Sequence, residues 1–223
     1  MKIDKEKVIA KAKEYGQSLL IALVLALLIK TTLVEATFIY GGSMEETLLQ
    51  EDRVFVNKFI YGIRIPATIV DIEIFLNKRI PTIYHLPKLR DPQRGDVVVL
   101  TPPETNGKKD FIKRVIALEG ETIEIRNRNV FINGRLLAES YKFYYEPENL
   151  LDESRSGVYP AMEEYFINKS NLKSYKVPKG KLFVIGDNRD RSFDSRFFGP
   201  VPVENIRGKA VFIYWPLTRW NTL

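Results

Sequence analysis

The sequence predicts a mainly β protein behind a single N-terminal transmembrane helix, with a smaller β domain inserted in the main one. Three observations predict it. Apolar runs of strand length, rich in Val, Ile and Phe, recur along the chain. Clusters of Gly, Pro, Asn and Asp separate them. Helical periodicity is weak outside one apolar stretch near the N-terminus.

That stretch, Leu19–Ile29, holds no charge. Extended to 15–34 it reaches the length a membrane span needs, about 20 residues. Lys30 interrupts it near one end, where its long stem can carry the ammonium to the interface. Lys2, Lys5, Lys7, Lys11 and Lys13 precede the span, so the positive-inside tendency puts residues 1–14 in the cytoplasm as a basic tail. A cleavable signal peptide fits the same pattern, with Val34-Glu35-Ala36 offering small residues at cleavage positions. Both readings export residues 37–223. A buried core helix fits less well, because the run is apolar all round and not striped.

Past the span, candidate strands are Arg53–Asn57, Asp96–Leu100, Phe111–Leu118, Thr122–Arg126, Leu182–Ile185 and Ala210–Trp215. Asn133-Gly134 between apolar runs is a two-residue hairpin signal. The organisation expected is a catalytic β core from 36–120 and 181–223, with 63–93 as an extended ribbon or loop excursion. The smaller β domain would occupy 121–180.

Composition excludes several chemistries. The chain has 223 residues and no cysteine, so thiol catalysis, disulfides and thiolate metal sites are out. Its single histidine, His85, rules out a zinc site built on two or three histidines, and a Ser-His-Asp triad would have to use it. The net charge of +6 is spread among 28 acidic residues with no basic run or nucleic-acid motif, so no nucleic-acid partner is expected.

Four segments carry candidate chemistry. In Phe38–Leu48, two glycines precede Ser43 and leave its hydroxyl accessible; taken alone this also fits a Gly-Gly-Ser linker. In the strand after Asp110, Lys113 shares a face with Phe111 and Val115. Buried there, it would be desolvated and its pKa lowered, which is what serine activation without histidine requires; an edge-strand lysine reaching for water fits as well. The polar string Gly186–Arg196 is rich in turn formers and offers hydroxyl and carboxylate partners for a buried group. Glu51–Gly62 looks structural.

In order and combination these boxes resemble the type I signal peptidase family, the Ser–Lys dyad serine peptidases. They run Gly-x-Ser43-Met-x-x-Thr-Leu, Asp52-Arg-Val-x-Val-Asn-Lys, Arg94-Gly-Asp-Val-Val-Val, Lys113-Arg-Val and the polar string from Gly186. The resemblance weakens over 63–93 and 127–178. It implies a membrane-bound endopeptidase that removes signal peptides from exported preproteins after small residues at −1 and −3. The apolar segment would be kept as an anchor in the cell membrane, with the catalytic part on the outer side. Ser43 would be the nucleophile and Lys113 the general base. Ser192 would orient the lysine, Asp194 and Arg196 would support the site as a charged pair, and Gly186 and Asn188 would shape the loop. The Ser43 backbone N–H would hold the oxyanion. Ile39, Met44, Leu48 and Ile112 would line the substrate pockets. Partners would be preproteins and the lipid bilayer, with no metal or organic cofactor. The alternative is a non-catalytic or single-substrate relative. Three positions depart from the usual pattern: Gly41, where some members carry an oxyanion-hole hydroxyl, and Glu46 and Glu119, which both replace prolines. Glu46 leads to the expectation of a less rigid turn after the nucleophile.

Overall fold

The computed structural model describes residues 11, 13–23, 34–62, 64–65, 84–85, 88–102, 109–144, 160–168 and 170–223. In chain order the strands are β1 (Val34–Phe38), β2 (Arg53–Asn57), β3 (Arg64–Ile65), β4 (Tyr84–His85), β5 (Val97–Leu100), β6 (Phe111–Ala117), β7 (Thr122–Arg126) and β8 (Asn129–Ile132). They continue with β9 (Arg135–Leu136), β10 (Phe166–Asn168), β11 (Asn171–Lys176), β12 (Lys181–Ile185), β13 (Val201–Pro202), β14 (Ile206–Trp215) and β15 (Asn221–Thr222). Two short helices, α1 (Pro160–Glu163) and α2 (Ser195–Phe198), complete the set.

An eight-stranded antiparallel sheet runs β1-β2-β14-β5-β6-β12-β13, with β15 beside β14. A five-stranded antiparallel sheet runs β10-β11-β7-β8-β9, and β3 and β4 form a separate two-stranded ribbon. The protein is therefore mainly β. The ribbon falls in the expected 63–93 excursion, whose other residues from 66 to 83 lie outside the described ones.

Period-two alternation explains how the large sheet is covered on both faces. In β5, Val97 and Val99 join one core cluster with Ile39, Met44 and Leu48, while Val98 and Leu100 join another with Val115 and Val184. A strand buried on both sides reads as an unbroken apolar run, as Val-Val-Val-Leu does. β12 divides likewise: Leu182 and Val184 face that second cluster. Phe183 and Ile185 face the core of the smaller sheet, beside Ile123, Ile125, Val130 and Leu172. β14 extends four residues ahead of the expected Ala210 start. Gly208 permits that, since a Cβ there would meet the Asn57 carbonyl oxygen at 2.6 Å.

Two hairpin turns share one geometry. Asn133 and Gly134 have φ of 51° and 77°, the primed turn their sequence predicts. Asn127 and Arg128 form a second such turn, with φ of 47° and 65°, between β7 and β8.

The N-terminal region differs from expectation in one respect. Residues 13–23 are helical, while 24–33, the rest of the expected span, and residues 1–10 of the basic tail lie outside the described residues. Among the described residues no helix is long and apolar enough to cross a membrane. Val34, expected as the last residue of the span, instead opens β1, which pairs with β2 from Val34↔Asn57 to Phe38↔Arg53. Cleavage after Ala36 would cut that paired strand in its middle, so the chain's own architecture speaks against the signal-peptide reading of 34–36.

Candidate active site

Ser43 sits in a one-turn 3-10 helix, Gly42–Met44, just beyond β1. The ladder to the neighbouring strand persists through Ile39, whose N–H donates to the Asp52 carbonyl at 2.9 Å. The turn is then pinned from below: Met44 and Leu48 are wholly buried, and Leu48 N–H donates to the Met44 carbonyl at 2.7 Å. Within this turn Glu46 takes a φ of 76°. Proline, locked near −65°, cannot adopt that conformation. The turn as built therefore has no place for a proline at position 46.

Lys113 comes from β6, its Cα opposite Val98 of β5. Its ammonium nitrogen lies 2.7 Å from Ser43 Oγ and 2.9 Å from the Ile112 carbonyl oxygen. The side chain is 4% exposed and passes 5.3 Å from the centroid of the Phe111 ring, the same-face neighbour that alternation predicts. Burial drives the lysine pKa down from 10.5 to about 8. Asp194 and Asp187 pull it up, Arg196 pushes it further down, and burial wins.

The polar string folds into a tight loop and helix behind the serine and lysine. Asp194 caps α2, accepting the Arg196 N–H at 3.1 Å, and takes the Gly186 N–H at 3.1 Å. The Arg196 guanidinium grips both its oxygens at 2.9 Å. Burial pushes the Asp194 carboxyl up, but Arg196 overrides it and holds the group below its ordinary value. The nearby Ser192 hydroxyl adds to that hold; its Oγ is buried, and among the described residues no hydrogen bond of good geometry reaches it. Gly186 makes this proximity possible. A Cβ there would lie 2.2 Å from Ser192 Oγ and 2.4 Å from the Ser43 carbonyl oxygen. Asn188 is fully buried and gives its backbone N–H to that same Ser43 carbonyl at 3.1 Å.

Several supporting residues have no role that the sequence assigns. Asp187 takes a two-pronged contact from Arg114, at 2.8 and 2.6 Å, and a 2.6 Å bond from the Thr47 hydroxyl. It thus joins the residue after the lysine to the turn after the serine. Arg189, buried, donates to the Gly186 carbonyl at 3.1 Å and pairs with Glu139 from beyond the smaller sheet's β9. The only signal in the sequence was that Arg114, Asp187 and Arg189 stand inside the quoted boxes; nothing marked Glu139.

An open cleft of about 710 Å³ leads to Ser43 and Lys113, walled by 37–42 on one side and 109–113 on the other. Ile39 and Ile112 line it, as do Gly41 and Phe193. Met44 and Leu48, expected on its wall, lie in the core beneath, fully covered by the turn they anchor. β12 pairs with β6 only from Arg114 onward, which leaves the edge of Phe111–Lys113 open to the cleft. His85 belongs to the β3–β4 ribbon, outside the sheet that carries Ser43 and Lys113. Among the described residues no group of three or more His, Asp or Glu side chains converges as metal ligands would.

Comparison with known proteins gives the same outline. The family described as signal peptidase, peptidase S26, matches residues 12–215. The signal peptidase I of Pseudomonas aeruginosa is 35% identical, over 100% of this chain and 78% of its own length. Signal peptidase I P of Bacillus subtilis subsp. natto is 33% identical, over 96% of each chain. Thylakoidal processing peptidase 1 of Arabidopsis thaliana is 33% identical over 94% of this chain and 50% of its own. The match runs through both sheets, from the N-terminal helical segment to the end of β14, and the chain belongs to the signal peptidase I family, peptidase S26.

Proposed function

We propose that this chain is a membrane-anchored serine endopeptidase that removes signal peptides from exported preproteins, with Ser43 as nucleophile and Lys113 as general base. The observation that carries the assignment of roles is the 2.7 Å approach of a buried lysine, pKa about 8, to an accessible serine at the end of a cleft. A neutral amine takes the Ser43 proton as Oγ attacks the scissile carbonyl. It then delivers that proton to the leaving amine, and the new N-terminus departs. A water, deprotonated by the same amine, attacks the acyl-enzyme; the ammonium returns that proton to Ser43 Oγ as the acyl–oxygen bond breaks, and the signal peptide leaves with a carboxyl group that ionises in water. The Ser43 backbone N–H stands in the first turn of a 3-10 helix, where amides lack intrahelical acceptors, and serves the oxyanion.

The substrate lies extended in the cleft, adding a strand along the open edge of Phe111–Lys113. Ile39 and Ile112 on the walls give the substrate apolar surface to pack against, which suits small apolar side chains. Ser192, whose buried Oγ shares the close space over Gly186 with the Ser43 carbonyl, orients the lysine. Residues 36–120 and 181–223 form the catalytic unit, and 121–180 the smaller β unit.

Two features support anchoring. On the helical stretch 13–23, Leu19, Leu20, Ile21 and Leu23 are all more than half exposed, the surface of a helix that finds its apolar partner outside the chain. At the end of the large sheet Trp215, Leu217 and Trp220 are also about half exposed or more, and the two tryptophans are of the type that favours a bilayer interface.

The test is cleavage of a preprotein bearing Ala-x-Ala by the full-length protein in detergent. Cleavage after the second Ala, abolished in Ser43→Ala and Lys113→Ala, is expected. Binding without cleavage by the wild type would overturn the peptidase assignment and establish the non-catalytic alternative.

A further inference from the structure

Position 46 denies the serine turn the stiffness of a proline, and its neighbour makes an unusual contact. Glu45 is half-buried, and its Oε2 accepts a hydrogen bond from Asn188 Nδ2 at 2.9 Å. Asn188 also donates its backbone N–H to the Ser43 carbonyl at 3.1 Å, and its Oδ1 takes the Arg191 N–H at 3.2 Å. The backbone on both sides of Asn188 is tied down as well: Phe143 N–H donates to the Asp187 carbonyl and Arg189 N–H to the Phe143 carbonyl. One rigid, fully buried asparagine therefore grips the serine turn at two points, ahead of Met44 and behind it. The Glu45 carboxylate folds back over the turn, so close that a Cβ on Gly42 would lie 3.3 Å from Oε2.

We propose that Glu45 is a positioning residue: with Asn188 it forms a two-point clamp that holds Ser43 Oγ at Lys113, in place of the restraint a proline at position 46 would give. The clamp rests on the Ser43–Lys113 reading for its kinetic consequence but not for its existence. Without the carboxylate, Asn188 holds the turn at the Ser43 carbonyl alone, while buried Met44 and Leu48 and the Thr47–Asp187 bond still anchor its far side. The stretch between those anchors loses one restraint, and the Oγ–Nζ distance is held less tightly when substrate arrives. Misplacement of the nucleophile lowers the chemical step, whereas the cleft walls that bind the substrate are untouched.

The experiment compares wild type, Glu45→Ala, Glu45→Gln, Asn188→Ala and the double Ala variant, by preprotein cleavage and by hydrogen exchange of the amides of 42–48. In Glu45→Ala, kcat is expected to fall about tenfold, or ~1.4 kcal/mol in barrier, with KM unchanged. Glu45→Gln still offers Asn188 an acceptor and is expected to stay within about threefold of wild type. The double variant should be little slower than Asn188→Ala, because both changes cut the same bond. Faster exchange across 42–48 in Glu45→Ala, reversed in Glu45→Gln, is expected in parallel. A Glu45→Ala enzyme with unchanged kcat and exchange overturns the proposal, as does Glu45→Gln behaving like Glu45→Ala. A wild type that cleaves nothing overturns the peptidase reading, and the exchange comparison then still decides whether the clamp exists.

Discussion

At the scale of a residue, Lys113 meets two opposed demands. Its amine must be neutral to act, yet lysine is charged in water near neutral pH. With its pKa at about 8, the neutral fraction falls about tenfold for each pH unit below that value, so kcat/KM should fall with unit slope on the acid side. A profile flat between pH 5 and 8 would remove Lys113 as the base. Stability carries the same signature. Below about pH 8 folded and unfolded chains both hold the proton, and the fold bears the full cost of a buried ammonium, ~3 kcal/mol from the depression of the pKa. Between about 8 and 10.5 only the unfolded chain is protonated, so stability rises with pH through that window. Lys113→Met, apolar and of similar length, should therefore abolish turnover while raising Tm at pH 7; a lower Tm, measured by calorimetry, would contradict this account. Much of this was legible in advance, since alternation along Phe111–Val115 put the lysine on an apolar face. The 2.7 Å meeting with Ser43 was not, because it joins residues seventy positions apart.

At the scale of elements, strands were readable where the apolar run and its punctuation coincide. β2 and β7 begin and end where the sequence placed them. β1 was hidden because Val34–Phe38 continues directly from the apolar N-terminal stretch with no turn residue between them. The β7–β8 turn was hidden because Asn127-Arg128 adopts a left-handed pair without the glycine that usually announces one. The serine turn belongs here too: its sequence did not announce the left-handed conformation its backbone takes at Glu46. A non-glycine residue in that conformation costs roughly 1–2 kcal/mol, partly offset in glycine by its freer unfolded chain. Glu46→Gly should thus be neutral or stabilising by up to about 1 kcal/mol, with activity kept. Glu46→Pro should destabilise by roughly 1–3 kcal/mol and lower kcat, because φ near −65° rebuilds the turn. Urea unfolding of the two variants checks both signs, and a stabilising Glu46→Pro would show that the turn rearranges at no cost.

At the scale of the whole molecule, the two sheets share a core and a loop. Phe183 and Ile185 of β12, with Ile116 and Ala117 of β6, are packed in the cluster that the smaller sheet closes with Ile123, Ile125 and Leu172. The smaller sheet's flank also reaches the active-site loop, through Phe143 beside Asn188 and through Glu139 on Arg189. Glu139 was invisible in the sequence because its partner is fifty residues away and nothing local marks it as buried. Both side chains of this pair are almost wholly out of solvent, and Arg189 cannot shed its proton. Burial works against its charge, and Glu139 more than restores it. Removing one partner of such a pair leaves an uncompensated charge and costs about 3–5 kcal/mol. Glu139→Ala should lose about that much stability in urea unfolding and should slow cleavage as well, since Arg189 also holds the Gly186 carbonyl at the base of the loop. Glu139→Gln, which keeps acceptors but not the charge, should fall between the two. If Glu139→Ala unfolded like wild type and cleaved as fast, the smaller sheet would have to be regarded as packed against the catalytic unit without bracing it.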